Sequence, residues 1–315
     1  LEQIDLISLQ KPNVMDIISF LLKEIEMAFI KHKFGKTYYT KKGSGPKAPI
    51  IWLHGGPGGT HKPDSKLFDL AKDRKVYAYT QIGSGKSSKI DKKLYKISTF
   101  VEELDLLIKA WGLKEFHLMG GSWGTTLALE YYLAKKGRGV KSIVFQSPMF
   151  SAKDWEDDGK RLIKGLPKET QKVINLCHEI GATDSKVYSK AVMAYYLKHV
   201  LRNKKKLLSS DKPKNPNGED IYMTMWGPSE FKPTGTLKTY NKVAKLKTIR
   251  VPTLIICGEH DEATPTTGIK YANMIKGCSF SEIKGASHSI WNEKPMQLAK
   301  TISEFIGETE KNISI

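Results

Sequence analysis

Cysteine is scarce in this 315-residue chain: Cys177, Cys257 and Cys278 stand far apart. Three scattered thiols cannot build a disulfide framework, and no C-x-x-C pair offers zinc ligation or thiol–disulfide chemistry. A reducing, cytoplasmic setting fits that usage. Long apolar runs are missing as well. The stretch "VMDIISFLLKEIEMAFI" has a helical pattern, but Asp16, Lys23, Glu24 and Glu26 interrupt it, so it is too short and too charged to span a bilayer. It lacks a basic stretch ahead of it and a small-residue cleavage site behind it, which excludes a standard signal peptide. Residues 1–25 are expected to form a helical extension, with an interfacial or dimer-forming helix as the alternative and Met15 or Met27 as candidate natural starts. Acidic residues are in deficit too, 33 Asp+Glu against 51 Lys+Arg, for a formal charge of +18. Such a balance invites nucleic acid or an anionic membrane. The lysines, however, are spread along the chain, with one dense run at Lys204, Lys205 and Lys206, and no helix-turn-helix, zinc-finger or RNP-type motif accompanies them. A solvated lysine surface, with no nucleic-acid partner, is the expectation. Internal repeats and low-complexity tracts are absent.

What the chain does have is alternation. "MAFIKHKF" and "KTYYTKKG" are predicted strands around Gly35, and "APIIWLHGG" is a buried strand running into glycines. "KVYAYTQIGSGKS" is another strand ending in a glycine loop. "ISTFVEELDLLIKAWGL" has helical spacing, with Ser98 or Thr99 expected as its cap and Gly112 as its stop. Strand "EFHLMGG", helix "TTLALEYYLAKKG" and strand "VKSIVFQSP" follow. Later come strands in "VPTLIICGEHDEATP" and "CSFSEIKGASH" and a closing helix, "EKPMQLAKTISEFIGE". Strands alternating with helices imply an α/β fold, a mostly parallel doubly wound sheet with helices on both faces. Residues 26–150 and 241–315 carry that pattern. Residues 151–240 break it with three successive helical stretches, the last predicted over 185–202, and a long loop at 203–220. An all-helical insertion after a strand's C-terminal end sits where open α/β sheets bind ligands, so it is expected to be a cap, or lid.

Gly120-Gly121-Ser122-Trp123-Gly124 satisfies G-x-S-x-G with a strand before and a helix after. A sharp strand-to-helix turn strains the apex residue and leaves little room for flanking side chains, while the apex hydroxyl projects at a helix N-terminus that favours developing negative charge. Alone, Ser122 is also readable as a simple helix cap. The rest of the sequence favours a nucleophile. His54-Gly55-Gly56-Pro57-Gly58-Gly59 follows an earlier strand, where hydrolases of this architecture keep half of an oxyanion hole; the backbone N–H groups of Gly56 and Trp123 are its expected donors. A serine needs a base and the base an orienting acid. Asp261 ends one strand and His288 follows the last, in the chain order Ser, Asp, His of that architecture. Glu259 and Glu262 flank the candidate acid, and His260 lies too close to Asp261 to be its base.

These residues resemble the proline iminopeptidases (prolyl aminopeptidases) of the α/β-hydrolase fold, over roughly residues 30–310, in "HGGPGG", "GGSWG", "GEHDEATP", "GASHSIWNEKP" and the cap's "MWGPSEF". The resemblance implies a serine aminopeptidase that releases N-terminal residues, preferentially proline, from short peptides with a free N-terminus through an acyl-enzyme. It implies no metal or organic cofactor. It maps the glutamates that hold the substrate's α-ammonium onto Glu230 and Glu262, which read without it as a loop carboxylate and a helix-cap residue. Tyr195, Tyr196, Tyr222 and Trp226 either wall a pocket for the proline ring or form lid core. Thr80-Gln81-Ile82-Gly83 departs from the family's Asp-Gln-Arg-Gly, removing an expected ion pair near the site. The "GSGKS" that follows lacks the first glycine of a phosphate loop. A carboxylesterase or amino-acid amidase on this scaffold, and an idle binding protein that kept the fold, are the alternatives. The oligomeric state stays open.

Overall fold

The computed structural model describes residues 25–208 and 215–313. The extension expected at residues 1–25 lies outside them apart from Ile25. Eight strands, β1 (Ile25–His32), β2 (Gly35–Lys42), β3 (Lys47–Leu53), β4 (Arg74–Thr80), β5 (Phe116–Gly121), β6 (Val140–Gln146), β7 (Thr253–Gly258) and β8 (Cys278–Ile283), form one sheet in the order β1-β2-β4-β3-β5-β6-β7-β8. β1 and β2 are antiparallel and β2 is antiparallel to β4; every other pairing is parallel. The central strands are apolar runs because both faces are covered. Ile50, Val76, Met119, Val144 and Ile256 point to one side, whereas Ile51, Tyr77, Leu118, Phe145 and Ile255 point to the other. Leu298, Ile302 and Ile306 of the closing helix cover the first face; helices at Ile97–Ala110 (α1) and Trp123–Ala134 (α2) cover the second.

Between β6 and β7 the chain leaves the sheet for helices α3 (Ala152–Ile163), α4 (Lys168–Glu179), α5 (Lys186–Tyr195), α6 (Lys204–Leu208) and α7 (Pro216–Met225). An isolated antiparallel bridge from Ser151 to Asn241 ties the entry of this excursion to its exit. Ile163, Ile174, Tyr188, Val192, Tyr195 and Phe231 give it a small core of its own.

Three local expectations are corrected. Neither Ser98 nor Thr99 caps α1: Lys96 holds the extended cap position without a side-chain cap bond, and the helix already begins at Ile97, which packs against the core. The helix predicted over 185–202 is α-helical only to Tyr195 and continues as a π-helical turn over Tyr196–Val200. The loop expected at 203–220 contains α6 and the start of α7. There Asn215 caps through its side chain, accepting from the Gly218 N–H, and Pro216 takes the first helical turn, where its missing N–H costs nothing. Among the described residues no helix is long and apolar enough to cross a membrane.

Candidate active site

β5 turns into α2 at Ser122, whose backbone is forced to φ 54°, ψ −125°. The flanking glycines have steric reasons. A Cβ on Gly120 would lie 2.2 Å from the Gly124 carbonyl oxygen, and one on Gly124 would lie 2.1 Å from that of Leu53. The elbow is pinned through its backbone: the Ser122 N–H donates to Gln146 O at 3.0 Å, and the Ser122 carbonyl accepts from the Thr125 N–H and Oγ1. The hydroxyl is thereby free to face a cavity of about 330 Å³ lined also by Gly55, Gly56, Glu230, Glu262 and His288.

Asp261 lies in the turn after β7 and is fully buried. Four donors converge on its carboxylate: His288 Nδ1 at 2.8 Å and the Ala263 N–H at 2.9 Å on Oδ1, Ser147 Oγ at 2.6 Å and the Gly258 N–H at 3.1 Å on Oδ2. That fixes the proton of His288 on Nδ1 and leaves Nε2 as the basic nitrogen. The lid holds the loop in place. His199 and Val200, in the π-helical turn, accept backbone bonds from His288 and Ser289, and His199 Nδ1 donates to the His260 carbonyl. Ser122 and His288 share the cavity without a direct hydrogen bond, a looseness common before substrate arrives.

The two glutamates meet in the same cavity from opposite origins, Glu230 from the lid and Glu262 from the turn after Asp261. The Glu230 carbonyl accepts the indole N–H groups of both Trp155 and Trp226 at 3.0 Å, and its carboxyl accepts from the Tyr222 hydroxyl at 2.7 Å. Neither carboxyl oxygen of Glu262 has a hydrogen bond of good geometry, although the Tyr195 phenol lies close enough to interact. Glu262 Oε1 is 3.9 Å from His288 Nε2. Burial pushes Glu230 up; burial and then the charge of Glu230 push Glu262 well above the carboxylate range. Burial works against a charged His288, yet Asp261, Glu262 and Glu230 together outweigh it and raise the imidazole to about 9. The cluster has more negative charge than its single imidazole can balance, so its groups share protons and titrate as a unit.

The glycine loop after β3 is tied to the elbow through Gln81. Its backbone N–H donates to His54 Nε2 at 3.0 Å, its Nε2 donates to the His54 carbonyl, and its Oε1 accepts from Trp123 Nε1 at 2.9 Å. The His54 ring is thereby held neutral, with Nδ1 donating to the Gly55 carbonyl; burial lowers its pKa to about 4. Asn215 docks α7 onto the same loop, donating to Gly58 O and accepting from the Gly85 N–H. Gly85, in the "GSGKS" stretch, therefore spends its amide on the lid. Where the family has arginine, Ile82 is buried in the core, and its N–H donates to the carboxyl of Glu103 at 2.8 Å. Glu103 also accepts from Thr37, and burial pushes it up to about 8.

Of the four aromatic residues weighed for a pocket, only Tyr222 lines the cavity. Tyr195 is lid core, its ring centroid 4.6 Å from that of Phe231. Tyr196 packs on that core, and Trp226 is buried against Trp155. Sequence reasoning missed Ser147, Gln81, Trp155, whose ring sits edge-on to His288 at 5.6 Å, and a wall of Trp52, Gln146, Val200, Ile290, Trp291 and Asn292. Ser147, just past the end of β6, holds φ 52°, a feature the structure shows and the sequence does not. Among the described residues no group of three or more His, Cys, Asp or Glu side chains is arranged to hold a metal ion.

A family model for the alpha/beta hydrolase fold matches residues 48–295. The chain is 41% identical over 265 residues to a proline iminopeptidase of Heyndrickxia coagulans, covering 84% of this chain and 92% of that protein. Among solved structures, a proline iminopeptidase of Mycobacterium smegmatis superposes with TM-score 0.80 at 26% identity, covering 91% of this chain and all of that one. VinJ superposes with TM-score 0.78 at 26% identity, covering 91% and 98%.

Proposed function

Because the chain belongs to the proline iminopeptidase family of α/β hydrolases, we propose that it is a serine aminopeptidase releasing N-terminal residues, preferentially proline, from short peptides. The observation that carries this reading is the pairing of two glutamates with Ser122 and His288 in one cavity, Glu262 buried with neither carboxyl oxygen hydrogen-bonded and Glu230 bonded to Tyr222. A hydrolase of esters has no need of them. A peptide's α-ammonium does: between Glu230 and Glu262 it forms charge-assisted hydrogen bonds that water cannot reach.

The ammonium also acts on the base. Its positive charge opposes protonation of His288, whose pKa the two glutamates help to raise, so the occupied site favours the neutral imidazole that catalysis requires. His288 then takes the proton of Ser122 Oγ as the oxygen attacks the carbonyl of the N-terminal residue. Asp261 stabilises the resulting imidazolium, and the backbone N–H groups of Gly56 and Trp123 receive the oxyanion. His288 returns the proton to the leaving nitrogen, and water, activated by the same base, releases the residue from the acyl-enzyme. Free thiols at Cys177, Cys257 and Cys278 fit a cytoplasmic enzyme.

Comparing proline β-naphthylamide with its N-acetylated analogue tests the reading. The acetylated substrate leaves two buried carboxylates without a cation, and kcat/KM is expected to fall at least about 10²-fold. Equal turnover of the two would remove the aminopeptidase assignment.

The Gln81 clamp makes a second expectation. Gln81→Leu orphans the Trp123 indole N–H and the His54 carbonyl and loosens both halves of the oxyanion site at once. We expect kcat to fall about tenfold to a hundredfold with KM nearly unchanged. Affinity for a prolyl boronic acid, which mimics the tetrahedral intermediate, should fall in parallel. A loss confined to thermal stability would make Gln81 a purely structural residue.

A further inference from the structure

We propose that the end of the cavity walled by Trp52 and Trp291 is a leaving-group subsite, selecting peptides whose second residue has an aromatic or large apolar side chain. The inference rests on the aminopeptidase reading and adds to it which peptides are preferred.

The argument starts from the two faces of the sheet. Trp155 and Trp226, which hold Glu230, and Ala263, which follows Glu262, belong to the core on the α1–α2 face. Trp52, Ile290 and Trp291 belong to the core on the opposite face, under the closing helix. Strand parity requires this: Trp52 pairs with Met119 and Gly121 with Gln146, all on the same side of the sheet. Ser122 sits on the edge between the two halves, and both halves line one cavity. A substrate with its amine between Glu230 and Glu262 and its carbonyl carbon at Ser122 Oγ has one direction left for its scissile nitrogen. The three bonds of a trigonal carbonyl carbon diverge, so the leaving peptide runs away from the glutamates, toward the Trp52 and Trp291 wall.

That wall is built to receive an apolar group. The rings of Trp52 and Trp291 meet edge to face with centroids 6.3 Å apart, and Ile290 and Val200 complete the surface. Gly121 lets the Trp52 ring pack directly against the elbow, since a Cβ there would lie 2.6 Å from Trp52 Cη2. The wall is also unfinished in its polar groups. Gln146, only 6% exposed, has no partner for Oε1, and Trp291 has none for Nε1. Buried polar atoms in native proteins seldom go unpaired, and one acceptor with one donor is what a peptide group would satisfy. In the cavity's opposite half the unpartnered group is the Glu262 carboxyl; here the unpartnered atoms are an amide oxygen and an indole N–H.

The test measures kcat/KM of the full chain on prolinamide, whose ammonia leaving group cannot reach this wall, and on Pro-Gly, Pro-Ala, Pro-Leu and Pro-Phe amides. Pro-Phe-amide is expected to exceed Pro-Gly-amide by about tenfold or more, the scale of a side chain entering an apolar pocket. Trp291→Ala should reduce that ratio to within about threefold, and Trp52→Ala, made separately in case one variant does not fold, should do the same. A flat wild-type series with prolinamide still hydrolysed overturns the subsite and leaves the aminopeptidase reading standing. A ratio unchanged in either folded variant also overturns it. Failure to hydrolyse any member, prolinamide included, overturns the aminopeptidase reading and the subsite with it.

Discussion

Ser122→Ala is expected to lower kcat on prolyl substrates by on the order of 10⁶-fold and to abolish labelling by a serine-directed fluorophosphonate. The variant should fold normally. Among the described residues none hydrogen-bonds to the Ser122 hydroxyl, and the elbow is held by the backbone of Ser122 acting on Gln146 and Thr125. Alanine pays the same backbone strain at φ 54° that serine already bears. The loss should therefore appear in chemistry and not in melting temperature. Some catalysis over water is expected to persist, because the oxyanion donors and the glutamates still bind and polarise the substrate. Measuring kcat beside the thermal midpoint separates the two contributions. Full activity in a folded Ser122→Ala protein would place the nucleophile elsewhere.

The elbow was legible in the sequence because its glycine spacing around one serine, between a strand and a helix, is a compact pattern. Only Gly120 is crowded by the elbow's own backbone, at the Gly124 carbonyl; Gly121 and Gly124 make room for the Trp52 ring and the Leu53 carbonyl of β3. The alternation of strands and helices was legible for a similar reason: strands buried on both faces are apolar throughout and stand out from amphipathic helices. The start of α7 was misread because "PKNPNGED" has loop composition, although Asn215 and Pro216 form a helix-start signal. Tyr195 and Trp226 show a different limit of pattern reasoning. Apolar spacing says that a lid residue is buried, not whether it faces the lid core, the main core or the cavity. Ser147 and Trp155 act on Asp261 and His288 more than 100 residues away in sequence, and no local signal encodes such a meeting. Ile82 is a further case. The absent arginine was visible, but that a buried Glu103, pushed up to about 8 by burial, bonds to the Ile82 amide needed the tertiary structure.

Asp261→Asn is expected to lower kcat about 10⁴-fold and to move the acid limb of the pH–rate profile downward. Four donors point at the Asp261 carboxylate, two on each oxygen. An asparagine has only one oxygen, so its NH₂ group must face either the Gly258 N–H or the Ala263 N–H, and neither backbone amide can become an acceptor. If the NH₂ turns toward Ala263, it also meets His288 Nδ1 and drives the imidazole proton to Nε2, the tautomer that cannot take a proton from Ser122. If it turns toward Gly258, the His288 tautomer survives but the imidazolium loses its anion. Either orientation costs rate, and the donor clash should also lower thermal stability. The sign of the pH effect follows from the charges. In the wild-type protein the anions around His288 raise it to about 9, with Asp261 the foremost among them, so in the ligand-free enzyme the neutral base gains population as pH rises toward that value. Removing the charge of Asp261 lowers the imidazole pKa, and the residual activity should reach its plateau at lower pH than in the wild type. Profiles of kcat/KM report the free enzyme and are the measurement to make. A limb that stays in place while kcat falls would show that the titrating group is not His288.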